Sequence, residues 1–246
     1  MIDIDDYSRK YAVQYAEKTF ETVLVGVRRK VVLESLRRHL HHSVLEVGCG
    51  LEPLFLFESD AAFTIVEPSP EFARNARALA GGREVDVIES FLEAAAPSLA
   101  GRAFDFIVVS SLLHEVGDPA ALLAAVRSLC HAGTTVHVNV PNVRSFHRLL
   151  ALEAGLIGDL FEASETERRF QRHTRFDSAS LAEMLRAGGF EILDSASYFI
   201  KPFTHAQMDA LMQSGTCGPA VIEGLEKMTK YMPELGCEIY ANARPV

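Results

Sequence analysis

The residues of this chain best suited to chemistry form a glycine turn at the end of a short apolar segment. Residues 44–47 are apolar apart from Glu46, and the chain continues through Gly48, Cys49 and Gly50. Glycine permits positive φ, and without a Cβ it lets a bound molecule approach the main chain. A buried carboxylate is costly without a partner, so we expect Glu46 to bind a ligand; capping of the turn is the alternative. The stretch predicts a nucleoside-binding turn.

Polar side chains also follow the next three apolar segments. Glu67 ends the second segment, where a carboxylate can accept hydrogen bonds from both hydroxyls of a ribose; a surface acid is the alternative. Because ligands of open α/β sheets lie outside the carboxyl ends of the strands, these side chains should meet at one edge. The others are Glu89, Ser90 and Phe91 after the third segment, and Ser110, Ser111 and His114 after the fourth.

His114 is the predicted catalytic residue. It lies just past the fourth strand, at the edge where this kind of sheet presents groups to a substrate. Histidine is a common general base near neutral pH, and a hydroxyl nucleophile gains from such a base. A structural histidine at a helix entry is the alternative. His137, inside the fifth apolar segment, is expected to be a hydrogen-bonded core histidine.

Several polar residues are candidates for contact with a substrate. Asn139 and Asn142 flank a proline at the end of the fifth segment, although turn formation would also explain them. The other candidates are basic or aromatic, with a solvated helix surface or core packing as the alternative explanation: Arg172, His173, Arg175 and Tyr11.

A second basic group begins at Arg28 and Arg29 and precedes the paired His41 and His42. We expect a solvated helix face with its C-terminal turn, where cations favour the helix dipole. A patch for an anionic substrate is the alternative. No further ligand stands at zinc spacing from the paired histidines, so no metal is predicted.

Apolar segments alternate with helical patterns, which predicts a parallel, doubly wound α/β sheet. Pro53 is expected in the first turn of a helix, and Ser69 is expected to cap the helix after the second strand. Ser178 or Ser180 should cap a helix that runs through Ala187. Seven strands are expected, at residues 44–47, 62–67, 84–88, 104–109, 134–140, 190–200 and 237–243.

We predict a single domain over residues 1–246, because no linker, repeat or low-complexity tract interrupts the chain. Its expected parts are an N-terminal helical cap at 1–42, a cofactor-binding core at 43–141, a lid insertion at 142–177 and the C-terminal part of the sheet at 178–246, with a helical insertion at 201–236. The 142–177 insertion is too long for a plain connection, which favours a functional lid.

Composition narrows the class of partner. The chain is 48% hydrophobic and its formal charge is 24 − 33 = −9, which favours a small-molecule substrate over nucleic acid, since phosphate contacts need a basic face. Four scattered cysteines without CxxC spacing predict free thiols and a cytoplasmic location. No signal-peptide pattern and no apolar run of the ~20 residues that a membrane span needs are present, so no membrane association is expected. No feature indicates an oligomeric state.

Several motifs of this chain, taken in their order along the sequence, resemble those of a known family. Residues 46–50 (Glu-Val-Gly-Cys-Gly), Glu67 and the segment 104–111 before His114 resemble the class I S-adenosylmethionine (SAM)-dependent methyltransferases over about residues 40–145. Residues 185–192 resemble the helix-turn-strand entry to that family's late strands. The resemblance implies a Rossmann-like, seven-stranded α/β sheet, mostly parallel with an antiparallel last strand, and helical cap insertions.

The resemblance also implies roles for individual residues. Glu46 would hold the methionine end of SAM, residues 48–50 would pass beneath it, and Glu67 would bind the ribose hydroxyls. Ser90 and Phe91 would flank the adenine with Glu89 nearby, and Ser110 and Ser111 would lie near the sulfonium. Cys49 belongs to this cofactor-binding set, with packing as the expected use of its thiol. Glu52 stands where the family often has a further glycine, and it could itself contact the cofactor.

The predicted function is SAM-dependent methyl transfer to a small polar acceptor, most simply to an oxygen of a sugar, acid or phospho-compound. Histidines near the predicted site favour oxygen attack, and nitrogen and carbon acceptors stay open. One alternative is a nicotinamide-dependent oxidoreductase, although the GxGxxG motif is missing after Gly48 and Gly50. The other is a non-catalytic nucleoside-binding protein of the same fold.

Overall fold

The computed structural model describes Ile4, residues 20–162 and residues 174–246. The strands are β1 (Ser43–Val47), β2 (Ala62–Val66), β3 (Val85–Ile88), β4 (Phe106–Ser110), β5 (Thr135–Pro141), β6 (Phe190–Tyr198) and β7 (Glu238–Pro245). They form one sheet in the order β3-β2-β1-β4-β5-β7-β6. The first five strands pair in parallel, whereas β7 is antiparallel to both β5 and β6. The predicted fold class is confirmed.

The strand order creates a crevice at the carboxyl ends of β1 and β4. From β1 the chain moves outward to β2 and β3, and it then returns to the other side of β1 as β4. The connections on either side of this reversal diverge, which is where ligands bind in open α/β sheets. Residues 44–47 and 106–109 are buried, because helices cover both faces, and this explains their continuous apolar runs.

Two core clusters cover the two faces of the sheet. One contains Leu45, Ile107 and Val136 with the helices that follow β3, β4 and the insertion. The other contains Val44 and Phe106 with the N-terminal helix and the helix after β2. The helices are α1 (Phe20–Arg37), α2 (Pro70–Ala80), α3 (Leu92–Leu99), α4 (Pro119–Ser128), α5 (Phe146–Glu153), α6 (Ser178–Ala187), α7 (His205–Gln213) and α8 (Pro219–Lys227).

A third core cluster joins α1 to the segment that follows β6. Phe20 and Leu24 of α1 pack with Phe199, which follows β6, and with Met208 of α7. The Phe20 and Phe199 rings have centroids 5.7 Å apart. This packing brings α1 and α7 over the carboxyl edge of the sheet as a cap. No described helix is both long and apolar enough to cross a bilayer.

One of the two predicted helix caps is found in the structure. Ser69 caps α2 as predicted, accepting from the Phe72 N–H at 3.3 Å. Asp177, and not Ser178 or Ser180, is the N-cap of α6; Ser180 completes a capping box with it. The prediction of a serine cap was wrong because Asp177 occupies the extended position just before the helix.

Pro53 does not begin an α-helix, so that prediction was also wrong. A single 3-10 turn, Leu54–Leu56, follows it and ends at Phe57. Leu54 and Phe55 are buried, and the Leu54 N–H donates to the Glu46 carboxylate. The segment is therefore fixed by its contact with Glu46 of β1. The next strand, β2, begins at Ala62, five residues after Phe57. The proposed domain parts stay predictions; within the 142–177 insertion, the described residues include α5.

Candidate active site

One cavity at the carboxyl ends of β1, β2 and β4 holds most of the predicted cofactor-binding residues. At the end beside these strands, the cavity is lined by Glu46, residues 47–52, residues 66–69, Phe72, residues 91–93 and residues 110–112. Its other end is formed by the cap and the β4–α4 connection: Glu21, Val25, Arg28, Arg29, Val32, Glu115, Val116, Leu122 and His205, with Ile4.

The glycine turn has the conformation that its sequence predicts. Gly48 and Gly50 have φ values of 74° and 58°. The Gly48 N–H donates to the Val66 carbonyl at 2.9 Å, which fixes the turn against β2. A Cβ at Gly48 would stand 3.4 Å from Leu112 Cδ2, in a backbone region that side chains rarely adopt. The turn therefore presents bare main chain to the cavity.

Glu46 is a buried acid beneath this turn. Its two carboxylate oxygens accept the Leu54 N–H at 3.0 and 3.3 Å. Desolvation by burial, together with the nearby Glu67 carboxylate, raises the pKa of Glu46 to about 8, although the Leu54 hydrogen bond and Arg29 act in the opposite direction. A cationic group placed beside Glu46 would relieve this cost, so the position suits a ligand ammonium.

Glu67 anchors the other side of the turn. It is 4% exposed and accepts the Cys49 N–H at 3.0 Å and the Ser69 N–H at 2.8 Å. Burial raises the pKa of Glu67, while these main-chain hydrogen bonds oppose the rise. Burial likewise raises the pKa of the Cys49 thiol, so this sulfur stays protonated and serves packing.

The segment after β3 is divided between the cavity and the surface. Phe91 is half exposed and lines the cavity. Glu89 instead pairs with Arg77 at 3.2 Å, and the Ser90 hydroxyl donates to the Phe91 carbonyl at 3.0 Å. Neither Glu89 nor Ser90 is among the described residues that line the cavity.

The end of β4 is held in an unusual conformation by β5. Ser111 has a φ of 53°, and its N–H donates to the side-chain oxygen of Asn139 at 2.9 Å. The Asn139 amide also donates to the Ser110 hydroxyl at 2.9 Å and to His137 Nε2 at 3.1 Å. Asn139 is completely buried, so it supports Ser110 and Ser111 from behind the cavity wall.

His137 is a core histidine, as predicted. Its Nδ1 donates to the side-chain oxygen of Asn242 at 2.8 Å, and its Nε2 accepts from the Asn139 amide. These two partners specify the neutral tautomer that carries its proton on Nδ1. Burial lowers the pKa of His137 to about 4.

His114 lies behind the cavity rather than on its described lining. It is 2% exposed, and its Nε2 stands 3.5 Å from an oxygen of Glu115, which does line the cavity.

Asn142 is also buried, and its amide donates to the Glu234 and Gly236 carbonyls at 3.0 and 2.9 Å. Arg175 is partly buried outside the described lining, and the predictions for Tyr11, Arg172 and His173 fall outside the described residues.

At the other end of the cavity, α1 contributes two basic side chains for which the sequence favoured a different environment. Arg28 and Arg29 were expected on a solvated helix face, yet their side chains are only 12% and 18% exposed. Arg28 is paired with Glu238, and Arg29 with Glu52, the residue that replaces the further glycine. The expectation was wrong for Arg28 and Arg29, because they have partners on β7 and on the glycine turn. The rest of this basic group, Lys30, Arg37 and Arg38, is exposed as expected.

Among the described residues, no group of three or more His, Cys, Asp and Glu side chains is arranged to hold a metal ion. The predicted absence of a metal stays a prediction.

A family model described as a methyltransferase domain matches residues 15–195. The chain belongs to this methyltransferase family. It is a SAM-dependent enzyme, and the oxidoreductase and the non-catalytic alternatives are set aside. The ubiquinone biosynthesis O-methyltransferase of Xanthomonas axonopodis pv. citri (strain 306) is 27% identical to it over 165 residues, which span 65% of this chain and 67% of that protein.

Solved structures share its fold. The cyclase SpnF has a TM-score of 0.58 and 20% identity, with 89% of this chain and 80% of that chain covered. The plantazolicin methyltransferase BamL, in complex with a substrate analog and S-adenosylhomocysteine (SAH), has a TM-score of 0.60 and 14% identity, with 96% and 90% covered. At these identities the likeness shows the fold alone.

Proposed function

We propose that this methyltransferase acts on a small polar acceptor and methylates an oxygen, as in a sugar, an acid or a phospho-compound. The observation that carries the proposal is the composition of the cavity. One cavity joins the glycine turn and Glu67 to a polar end at Glu21, Arg28 and His205. The Xanthomonas relative is an O-methyltransferase by name, which supports oxygen as the attacked atom.

The residues at the first end fit SAM. Glu46 lies where a ligand ammonium would offset its burial, and the bare main chain of residues 48–50 leaves room for the methionine portion. Glu67 and Phe91 line the cavity, which supports assigning Glu67 to the ribose hydroxyls and Phe91 to the adenine. When bound, SAM supplies an activated methyl group on a positively charged sulfur. Ser110 and Ser111 complete the wall beside it.

His114 and Asn139 are assigned indirect roles in this proposal. His114 Nε2 lies 3.5 Å from Glu115, an acid that lines the cavity. The Asn139 side chain accepts the N–H of Ser111, which has a positive φ. We assign both as positioning residues, because neither is among the described residues that line the cavity. The contacts proposed for Asn142, Arg175, Arg172, His173 and Tyr11 stay predictions.

Two measurements test the function. Calorimetry should show SAH binding and no NADH binding. With methyl-labelled SAM and the low-molecular-weight fraction of a cell extract, label should enter small molecules as methyl ethers or esters. Label that enters only macromolecules, or that is attached to nitrogen or carbon, would contradict the proposal.

The same function fits a cytoplasmic enzyme without a nucleic-acid partner, which we propose as its setting. The four cysteines are free thiols in the structure, in agreement with a reducing compartment. The formal charge of −9 gives no support to binding of a nucleic-acid backbone.

A further inference from the structure

The acceptor end of the cavity contains a chain of three hydrogen-bonded side chains. Lys201 donates to His205 Nδ1 at 3.1 Å, and His205 Nε2 lies 3.1 Å from a carboxylate oxygen of Glu21. Lysine has only donors, so His205 Nδ1 is the acceptor and Nε2 carries the proton that Glu21 accepts. Glu21 and His205 both line the cavity, whereas Lys201 is buried behind them.

The protein holds this chain in place from several elements. Phe20 contacts the edge of the His205 ring, with centroids 5.4 Å apart at 72°. Arg28 lies about two turns further along the same face of α1, and its guanidinium approaches the second oxygen of Glu21 at 3.6 Å. Arg28 is itself bound by Glu238 of β7, which also accepts the Tyr198 hydroxyl. The Glu21 carboxylate is therefore oriented by two donors on one side while it faces the cavity.

We propose that Glu21 is the group that takes the proton of the acceptor hydroxyl, and that His205 and Arg28 are the residues that orient it. The inference rests on the proposed function. In the reaction the acceptor oxygen forms a bond to the methyl carbon, the carbon–sulfur bond breaks, and its electron pair stays on sulfur in SAH. The acceptor proton passes to the Glu21 carboxylate and then to water.

This geometry also selects the class of acceptor. Glu21 already receives hydrogen bonds from His205 and faces the positive charge of Arg28. An acceptor hydroxyl can donate a further hydrogen bond to this carboxylate, whereas an anionic acceptor oxygen placed against the carboxylate would be repelled. We therefore expect a neutral hydroxyl, such as a phenol or a sugar hydroxyl, at the reacting position.

The test compares single variants in the full-length enzyme with methyl-labelled SAM and a panel of phenols, sugars and hydroxy acids. Glu21→Gln should lower kcat by about 10²–10⁴-fold, the usual contribution of a general base. The KM for SAM and the SAH affinity should stay within about twofold, a bound that is itself part of the prediction. His205→Gln keeps a donor for Glu21 and should retain more activity than His205→Ala. Glu34→Gln, an exposed acid on the same helix, is the matched control and should match the wild type.

The pH profile distinguishes a base from a structural carboxylate. The pH test uses a phenol from the panel, because a phenol ionises at high pH and then needs no base, so the Glu21→Gln defect should shrink with rising pH. Within residues 20–162 and 174–246, the charged groups that face Glu21 include Arg28 on its own helix, with Glu238 behind it, and the His205–Lys201 pair.

Each outcome decides a different point. Glu21→Gln with normal kcat, or with a defect that is equal at every pH, overturns the inference while the proposed function stands. A wild type that binds SAH and methylates none of the panel and no small molecule of an extract overturns the proposed function itself. Loss of SAH binding in Glu21→Gln would assign Glu21 to the cofactor and also overturn the inference.

Discussion

Two buried carboxylates, Glu46 and Glu67, flank the glycine turn. Both accept main-chain N–H groups, and the Glu67 carboxylate contributes to the raised pKa of Glu46. Main-chain donors fix where the two side chains lie, whereas binding of a ligand depends on their charge. Placement and binding therefore depend on different properties of the same side chain, and amide substitutions test the part played by the charge.

Glu67→Gln is the first such test. The glutamine oxygen can still accept one of the two main-chain N–H groups that Glu67 binds, while its NH2 group faces the other, and the charge that strengthens hydrogen bonds to ribose hydroxyls is lost. A charge-assisted hydrogen bond contributes about 1.5–3 kcal/mol, so SAH affinity should fall about 10- to 100-fold by calorimetry. Glu84→Gln, at an exposed position before β3, should bind SAH normally. Unchanged affinity in Glu67→Gln would remove Glu67 from the ribose site.

Glu46 should make stability depend on pH. Its folded-state pKa of about 8 lies above its ordinary value of 4.5, so between these pH values the folded state holds a proton that the unfolded state has lost. The free energy of unfolding of the ligand-free wild type should fall by a few kcal/mol from about pH 5 to pH 8, relative to Glu46→Gln. Urea unfolding of both proteins at several pH values measures the difference. Parallel curves for the two proteins would show that Glu46 titrates normally.

At the scale of elements, α6 offers a direct test of which residue caps a helix. Asp177 accepts the Ser180 N–H at 2.8 Å, and the Ser180 hydroxyl reciprocates by accepting the Asp177 N–H at 3.0 Å. Asp177→Ala should lower the free energy of unfolding by about 0.5–2 kcal/mol. Ser178→Ala, one residue further on, should change it by less than about 0.5 kcal/mol. Equal losses in the two variants would contradict the assignment of Asp177 as the N-cap.

The strands and the cofactor end could be predicted because their signals are local. An apolar run followed by an acid or a glycine is visible within ten residues, and parallel strands then bring these ends together. Burial was harder to predict: Asn139 lies near the end of β5 and His114 follows β4, as ligand residues do, yet neither is among the described residues that line the cavity. The end of the cavity that we propose for the acceptor had no local signal, because Glu21 and His205 are 184 positions apart and meet through the packing of α1 against α7.

At the scale of the whole molecule, one ion pair joins the N-terminal helix to the last strand. Arg28 and Glu238 are 210 positions apart and mostly buried, and Tyr198 of β6 donates to the same carboxylate. Glu238 holds its charge here: Arg28 and the Tyr198 hydroxyl keep the pKa of Glu238 below its ordinary value, although desolvation is the largest single influence and acts to raise it. The pair thus anchors the cap that carries Glu21 to the sheet that carries the glycine turn.

Removing both members of this pair should cost less than the sum of the two single removals. Glu238→Gln leaves Arg28 buried without its counter-charge, which typically destabilises a protein by about 3–5 kcal/mol. The double variant Arg28→Met, Glu238→Gln removes the uncompensated charge as well, so its loss should be smaller than the sum of the two single losses. Glu226→Gln is the matched control, since it breaks the exposed pair that joins α1 to α8 through Lys30, and such pairs contribute about 0–1 kcal/mol. Chemical denaturation of the four variants gives the coupling energy. If the single losses simply add, the pair is not the anchor of the cap, and the apolar contacts of Phe20 and Leu24 would carry that role alone.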